Sequence, residues 1–171
     1  MLDSERFDFP RIFGVIRATE GLKRNQTRPL RTEIIELALQ KYSGGQLRYV
    51  GDKINGVDFL CTDEQSYELK CMDGLFQREV PYTKPITLKN HYGNSSELAQ
   101  TFDHLIMIDT KHNSIGVCDW NAATRNIKYK DSSVEVRVDH NDIRFLAKNV
   151  QPVQLAVDFS QRLNEMIQEC I

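Results

Sequence analysis

Three charged side chains in one short segment have the types and spacing of a metal-assisted hydrolytic site. Nine residues separate Asp58 from Glu68, and Lys70 lies two positions beyond Glu68. Carboxylate and carbonyl oxygens are the ligands that Mg²⁺ prefers, and Mg²⁺ usually keeps several waters. A metal held there would polarise a phosphodiester and lower the pKa of a bound water. The ammonium group of Lys70 would orient that water or stabilise the charge that develops at phosphorus.

An alternation of apolar and polar residues predicts that these charges lie on one side of a β-hairpin at residues 55–71. Asp58, Glu68 and Lys70 share one face, because successive strand residues point to opposite faces. The hairpin register that matches the apolar faces pairs Cys61 with Tyr67, Phe59 with Leu69 and Val57 with Cys71. Asp58 would then lie opposite Lys70 at roughly 5 Å, with Glu68 a diagonal neighbour at about 7 Å. Burying such a cluster would be costly unless it binds something.

The surrounding segments predict one α/β or α+β domain with a central mixed β-sheet flanked by helices. Helices are predicted at residues 30–42, 97–101, 142–148 and 153–169. Further strands are predicted at residues 46–50, 85–89, 103–109, 114–119 and 134–138. The helix at residues 30–42 has an apolar stripe, Pro29 before it and Gly44-Gly45 after it.

Composition narrows the class of protein. The 171 residues are 40% hydrophobic and 27% charged, which predicts one globular domain over residues 1–171. The net charge of −2 argues against a sequence-blind nucleic-acid binder. The first residues lack the features of a signal peptide, and no segment has the length of a membrane span, so we expect a cytoplasmic protein. The four cysteines are not clustered, which argues against a zinc site, and Cys61 and Cys71 are predicted to be buried free thiols.

The pattern of Asp58, nine residues and then Glu68-Leu69-Lys70 on adjoining strands resembles the signature of the PD-(D/E)xK nuclease superfamily. Within that superfamily the chain is most similar to small type II restriction endonucleases. The resemblance implies a restriction-endonuclease-like core over about residues 30–110, with Asp58 and Glu68 as Mg²⁺ ligands and Lys70 as the catalytic lysine. The backbone carbonyl of Leu69 is close to both acids and is predicted as a further ligand. Val57 stands where the motif has proline, a position that is loose in the family.

A second acidic-x-Lys triplet, Asp109-Thr-Lys111, ends a strongly predicted strand. Its upstream acid, Asp103, lies on the same strand at roughly 20 Å, which is too far for the two carboxylates to share an ion. The hairpin triplet is therefore preferred. Glu33 and Glu36 lie on the polar side of the first predicted helix, where an exposed helix face is the favoured interpretation of each. Whether either completes the metal shell stays open.

The expected substrate is double-stranded DNA, cut at a short palindrome by a homodimer, because a symmetric protein matches a symmetric site. Side-chain types that contact phosphates and base edges follow the hairpin. The first candidates for DNA contacts are Lys84, Lys89, Asn90, His91 and Asn94. Arg125, Lys128 and Lys130 form a second set. The basic segment with Lys23, Arg24 and Arg28 is interpreted as a solvated connection.

Other functions stay open at this stage. The same fold serves structure-specific nucleases such as Holliday-junction resolvases and mismatch-repair endonucleases. A non-catalytic nucleic-acid-binding or protein-binding module could retain the fold, and the hairpin could simply be a charged surface element.

Overall fold

A computed structural model describes residues 1–20, 28–90, 92–93 and 95–155. Its helices are α1 (Phe9–Thr19), α2 (Arg28–Lys41) and the short α3 (Trp120–Thr124). Its strands are β1 (Leu47–Tyr49), β2 (Phe59–Cys61), β3 (Ser66–Met72), β4 (Ile86–Lys89), β5 (His104–Asp109), β6 (Ser114–Asp119), β7 (Ile127–Tyr129), β8 (Ser133–Val136) and β9 (Arg144–Ala147).

Six of these strands form the main sheet, in the order β1-β2-β3-β5-β6-β9. Strands β3 and β5 run parallel, and the other neighbours in this sheet are antiparallel. Strands β4, β8 and β7 form a second, antiparallel sheet. The prediction of a mixed α/β chain with a central mixed sheet is thereby confirmed.

Strand β5 divides the core into two layers. Ile106 and Ile108 pack with the apolar residues of α1 and α2. Leu105 and Met107 point to the other face and pack with the second sheet. All four side chains are almost completely buried, which explains why β5 reads as a continuous apolar run rather than an alternating one. Helices α1 and α2 thus cover one face of the main sheet, and the second sheet covers the other.

Helix α1 was not predicted, although two apolar clusters, at residues 7–9 and 12–16, lie in this part of the sequence. The Asp8 side chain accepts the backbone N–H of Arg11 at 3.2 Å, and Pro10 lies in the first turn. Both are start signals of a helix. Ile12 and Phe13 are fully buried. The apolar run alone does not distinguish a helix from a strand, so the cap is the informative feature.

The predicted helix at residues 30–42 corresponds to α2. It ends before Gly44 and Gly45, which have φ angles of +65° and +80° and reverse the chain into β1. The predicted strands at residues 46–50, 85–89, 103–109, 114–119 and 134–138 are confirmed, with ends shifted by a residue or two. Strong apolar periodicity in the sequence was sufficient to predict these elements.

Two predicted helices are wrong. Residues 97–101 are irregular, because the Ser95 hydroxyl accepts the N–H of Glu97 in a local turn that does not propagate. Residues 142–148 contain strand β9, in which Phe145 pairs with Gly116 of β6. The exposed edge of β6 supplies backbone partners to this segment, and a helix of seven residues is only marginally stable alone.

The predicted C-terminal helix at residues 153–169 falls largely outside the described residues, as does Cys170. Cys61 and Cys118 are buried free thiols, and Cys71 is a partly buried one. Burial raises the pKa of the Cys71 and Cys118 thiols to about 12, so both stay protonated at neutral pH. The described helices include none with the length and apolar character to cross a membrane.

Candidate active site

Strands β2 and β3 form the predicted hairpin, but with a different register. Phe59 pairs with Tyr67, and Leu60 pairs with Ser66. The predicted register is therefore wrong by two residues. It paired Cys61 with Tyr67, Phe59 with Leu69 and Val57 with Cys71.

The shorter hairpin loop causes this difference. Glu64 has a φ of +64°, and its N–H donates to the carbonyl of Cys61 at 2.9 Å. The N–H of Cys61 in turn donates to the carbonyl of Gln65 at 2.9 Å. Three-residue loops of this kind usually have glycine at the left-handed position. Because glutamate occupies it here, the sequence contains no signal for the tight turn.

A shift of two residues keeps each side chain on its predicted face but changes its neighbours. The carboxyl groups of Asp58 and Glu68 come within hydrogen-bonding reach of each other. Lys70 Nζ lies 3.1 Å from Glu68 Oε1. The structure therefore brings the three predicted residues together, with Glu68 in the middle rather than Lys70 opposite Asp58.

Asp58 is held against β3 by backbone and side-chain contacts. Its N–H donates to the Tyr67 carbonyl at 2.9 Å. Its Oδ2 accepts the N–H of Leu69 at 2.8 Å. The N–H and C=O of one strand residue project to the same side, so the Leu69 carbonyl also faces β2. The Asp58 carboxyl, the Leu69 carbonyl and Glu68 thus lie close together in the hairpin.

The polypeptide before Asp58 can take its path only with glycine at position 56. Gly56 has a φ of +74°, and a Cβ added there would lie 2.7 Å from Cβ of Thr101. A side chain at this position would be strained and would also displace Thr101. The close approach joins the start of the hairpin to the irregular segment at residues 97–101.

The site has a shortage of positive charge. Burial raises the pKa of Glu68, and the nearby Asp58 carboxyl raises it further, while Lys70 lowers it. The Glu68 side chain is 16% exposed and that of Lys70 is 33% exposed. Within this triad, the one ammonium group of Lys70 must therefore balance two neighbouring carboxyl groups. These groups are only partly exposed to solvent.

These side chains open into a cavity of about 480 Å³ between the hairpin and the second sheet. Its charged wall consists of Asp58, Glu68, Lys70 and Lys89. Its apolar wall consists of Ile54, Val57, Leu88, Leu98, Phe102 and Trp120. The rings of Phe102 and Trp120 pack edge to face with centroids 4.8 Å apart. Trp120 is not among the predicted site residues, although it is the only tryptophan of the chain and directly follows a predicted strand.

Glu36 of α2 is buried, contrary to the exposed position expected for it, whereas Glu33 is exposed as expected. Burial raises the pKa of Glu36 to about 7, and the charge of Asp58 contributes to the shift. A hydrogen bond from the Tyr49 hydroxyl opposes the shift. Glu36 is thus an additional acid behind the hairpin. Its position depends on the packing of α2, which the local sequence pattern does not report.

The competing triplet has a structural role. Asp109 is fully buried, and its carboxylate accepts the backbone N–H groups of Gly74, Phe76, Lys111 and His112 at 2.9–3.0 Å. The His112 ring lies 2.9 Å from Oδ2. Burial acts to raise the pKa of Asp109, but these hydrogen bonds outweigh it and hold the pKa below its ordinary value. Asp109 therefore fixes the loop that follows β3.

The predicted DNA-contact residues do not form one cluster. Lys89 lines the cavity, whereas Lys84 donates to the carbonyl of Asp73 at 2.9 Å and is not part of the lining. Asn90 is only 4% exposed, and its Oδ1 accepts the N–H of Tyr92 at 3.0 Å. His91 and Asn94 lie outside the described residues, as do Lys23 and Arg24, and Arg28 begins α2. Arg125, Lys128 and Lys130 lie at or near β7.

Among the described residues, no group of three or more His, Cys, Asp or Glu side chains is placed to hold a metal ion. The oxygen-bearing groups at the hairpin are the Asp58 and Glu68 carboxyl groups and the Leu69 backbone carbonyl. Comparisons with protein-family models, with curated proteins and with solved structures find no match to this chain.

Proposed function

We propose that the chain is a magnesium-dependent DNA endonuclease with a restriction-endonuclease-like core. The observation that carries this proposal is the convergence of Asp58, Glu68 and Lys70 from adjoining strands at one cavity. In the version that we favour, the enzyme is a homodimer that cuts double-stranded DNA at a short palindrome. The motif resemblance and the near-neutral net charge support that version.

The donor atoms suit Mg²⁺. Asp58, Glu68 and the Leu69 carbonyl would hold the ion, which usually takes one or two carboxylates and keeps several waters. A divalent cation would also stabilise the ionised forms of two carboxyl groups that otherwise repel each other. When bound, the ion would supply Lewis-acid activation of the phosphodiester and of the attacking water.

The chain's own residues would position and stabilise the reacting groups. The Leu69 N–H fixes the orientation of Asp58, so little side-chain entropy is lost when the site forms around a substrate. Lys70 lies beside Glu68 on the same face of β3, and its ammonium group would stabilise the negative charge that builds up on the phosphate oxygens. Asp58 and Glu68 would thus share the task of holding the ion, and Lys70 would stabilise charge on the phosphate.

The apolar wall of the cavity favours a nucleotide over a small phosphate ester. Trp120 offers a partly exposed ring supported by Phe102, and bases stack on such rings with about 1–3 kcal/mol each. This feature also supports a second candidate, a structure-specific nuclease. A base can occupy a cavity of about 480 Å³ only after it leaves the helical stack, and unstacking is easiest in branched or mismatched DNA.

Plasmid cleavage in Mg²⁺ with mapping of the ends tests the proposal. Discrete fragments from linear duplex DNA would support the palindrome-specific enzyme, and cutting confined to branched or mismatched DNA would support the second candidate. Asp58→Asn and Lys70→Ala should each lower cleavage by at least 100-fold, in the range expected for loss of a catalytic group. DNA binding without cleavage by the parent would instead indicate a non-catalytic module.

Two matched variants control for the loss of charge. Asp63→Asn neutralises an exposed acid in the same hairpin, and Lys111→Ala removes the lysine of the competing triplet. Both should cut DNA like the parent. The site assignment is wrong if Asp58→Asn and Lys70→Ala also cut like the parent, or if Lys111→Ala is the variant that fails.

A further inference from the structure

The outer face of the second sheet has an unusual concentration of positive charge. Among the described residues, four basic side chains project from it around one carboxylate, that of Glu135. These are Lys89, Lys128, Lys130 and Arg137, and we call this surface the basic face. The four basic residues are exposed. The chain as a whole has a net charge of −2, so the basic face is a local feature with a sign opposite to that of the molecule.

The strand registers fix the arrangement of these charges. Glu135 lies between Thr87 of β4 and Lys128 of β7. Ser133 pairs with Lys89, and its carbonyl accepts the N–H of Lys130. Neighbouring strands lie about 4.8 Å apart, so the side chains of Lys89 and Lys130 flank β8 with roughly 10 Å between their strands. The alternate residues Leu88, Val134 and Val136 are buried and hold the face in place.

Glu135 cannot neutralise its surroundings. It pairs with Lys130 at 2.6 Å and lies 4.0 Å from Arg137. In the described part of the chain, neither Lys89 nor Lys128 forms an ion pair with it. Arg125 stands at the margin of the face and pairs with Asp142 at 2.5 Å. A groove of about 420 Å³ is lined by Arg125, Lys128 and Arg137. The positive charges therefore lie on a concave rather than a flat surface.

The basic face is continuous with the candidate active site. Lys89 belongs to the face and also lines the cavity. On the other side, the short helix α3 begins with Trp120, which lines the cavity, and is followed by Arg125, which lines the groove. A nucleic-acid strand that leaves the cavity past Lys89 or past α3 would therefore approach the cations of the basic face.

We propose that the basic face binds the phosphodiester backbone of the nucleic acid whose scissile bond lies in the cavity. The inference rests on the proposed function and assigns Lys128, Lys130 and Arg137 to backbone contacts rather than to base recognition. A regular row of negative charges is the complement of cations held at fixed spacing around a groove. Such contacts give affinity and orientation without reading sequence.

Fluorescence anisotropy with a labelled 30-base-pair duplex in EDTA tests this assignment without cleavage. Lys128→Ala/Arg137→Ala should weaken binding roughly tenfold per cation at 0.1 M salt and reduce the slope of log K against log salt by about two. Arg11→Ala/Lys41→Ala removes the same charge from the helices on the opposite side of the main sheet and should change neither quantity. Glu135→Gln should tighten binding and steepen the slope, a change that misfolding cannot imitate.

The outcomes separate this inference from the proposed function. If the parent cuts DNA while Lys128→Ala/Arg137→Ala and Glu135→Gln bind like the parent, the basic face is not the backbone surface and the nuclease proposal survives. If the parent neither binds nor cuts any DNA, both proposals fail. If the parent binds phosphatidylglycerol vesicles but not duplex, and the double variant abolishes that binding, the occupant is a lipid surface and the assignment to nucleic acid is wrong.

Discussion

The backbone N–H of Leu69 donates a 2.8 Å hydrogen bond to Oδ2 of Asp58. This contact ties the acid of one strand to the residue between Glu68 and Lys70 on the next strand. The hydrogen bond therefore fixes the Asp58 carboxyl relative to the strand that carries Glu68 and Lys70. Asp58 has two tasks, as a candidate metal ligand and as the acceptor that closes the end of the hairpin.

These two tasks are separable by substitution. Asp58→Asn keeps an oxygen that accepts the Leu69 N–H, so we expect its free energy of unfolding to lie within about 1 kcal/mol of the parent. Asp58→Ala leaves the donor without this partner and should cost about 1–3 kcal/mol. Urea unfolding followed by circular dichroism measures both. Equal destabilisation by Asn and Ala would show that the hydrogen bond does not hold the hairpin end.

Glu36 should make stability fall as pH rises. Its pKa is about 7 in the folded chain against an ordinary value of 4.5, so the folded chain keeps a proton that the unfolded chain releases in this window. The free energy of unfolding should therefore decrease between pH 4.5 and 7, by on the order of 2 kcal/mol from this group. Glu36→Gln retains an acceptor for Tyr49 and should flatten the profile.

Glu33→Gln is the matched control, because Glu33 is exposed on the same helix. Urea unfolding at pH 5 and pH 7.5 in EDTA should give parallel changes for this variant and the parent. If Glu36→Gln shows the same pH profile as the parent, Glu36 is ionised at neutral pH in the folded chain and the prediction is wrong.

Asp109 should respond to amidation quite differently from Asp58. Backbone N–H groups approach both of its oxygens, so an Asn NH₂ group would face a donor whichever way it turned. We expect Asp109→Asn to cost about 3 kcal/mol in urea unfolding. Because the pKa of Asp109 is lowered in the folded chain, its contribution is present above pH 3.8 and disappears as pH falls through the folded value. A near-neutral Asp109→Asn would refute this role.

The glycine at position 56 should be more sensitive than another glycine of similar backbone conformation. Gly56→Ala introduces left-handed strain of about 1 kcal/mol and a contact with Thr101 that should add about 1–3 kcal/mol. Gly45 has a φ of +80°, but its nearest neighbouring atom lies 4.0 Å from an added Cβ. Gly45→Ala should therefore show the strain alone. Equal losses in thermal or urea unfolding would mean that Thr101 moves aside freely.

The residues that face each other in the hairpin could be predicted only in part. The two-residue repeat of a strand predicted the side on which Asp58, Glu68 and Lys70 lie. A register error of two residues leaves that side unchanged. Their spacing did not follow, because it depends on the left-handed conformation of Glu64. Sequence patterns report the period of an element more reliably than the conformation of a single turn residue.

Positions determined by distant contacts were also beyond prediction. The burial of Glu36 results from how α2 packs on the hairpin, and β9 forms because the edge of β6 is available. Trp120 reaches the cavity because β5 and β6 bring α3 beside the second sheet. Each of these positions depends on tertiary structure that no local window of residues contains.

The parallel pairing of β3 with β5 has a consequence for how the chain folds. Ser66 and Asp103, which are joined by hydrogen bonds of 2.8 and 2.9 Å at the start of the two strands, are 37 positions apart. Closing so long a loop costs entropy before any contact repays it, whereas the helices and the β2–β3 turn form from neighbours. We therefore expect the hairpin to appear early as a loose ribbon and to become rigid only when β5 docks. The three charged residues would come near one another when the hairpin first forms. The rigid site would exist only at the last step of folding.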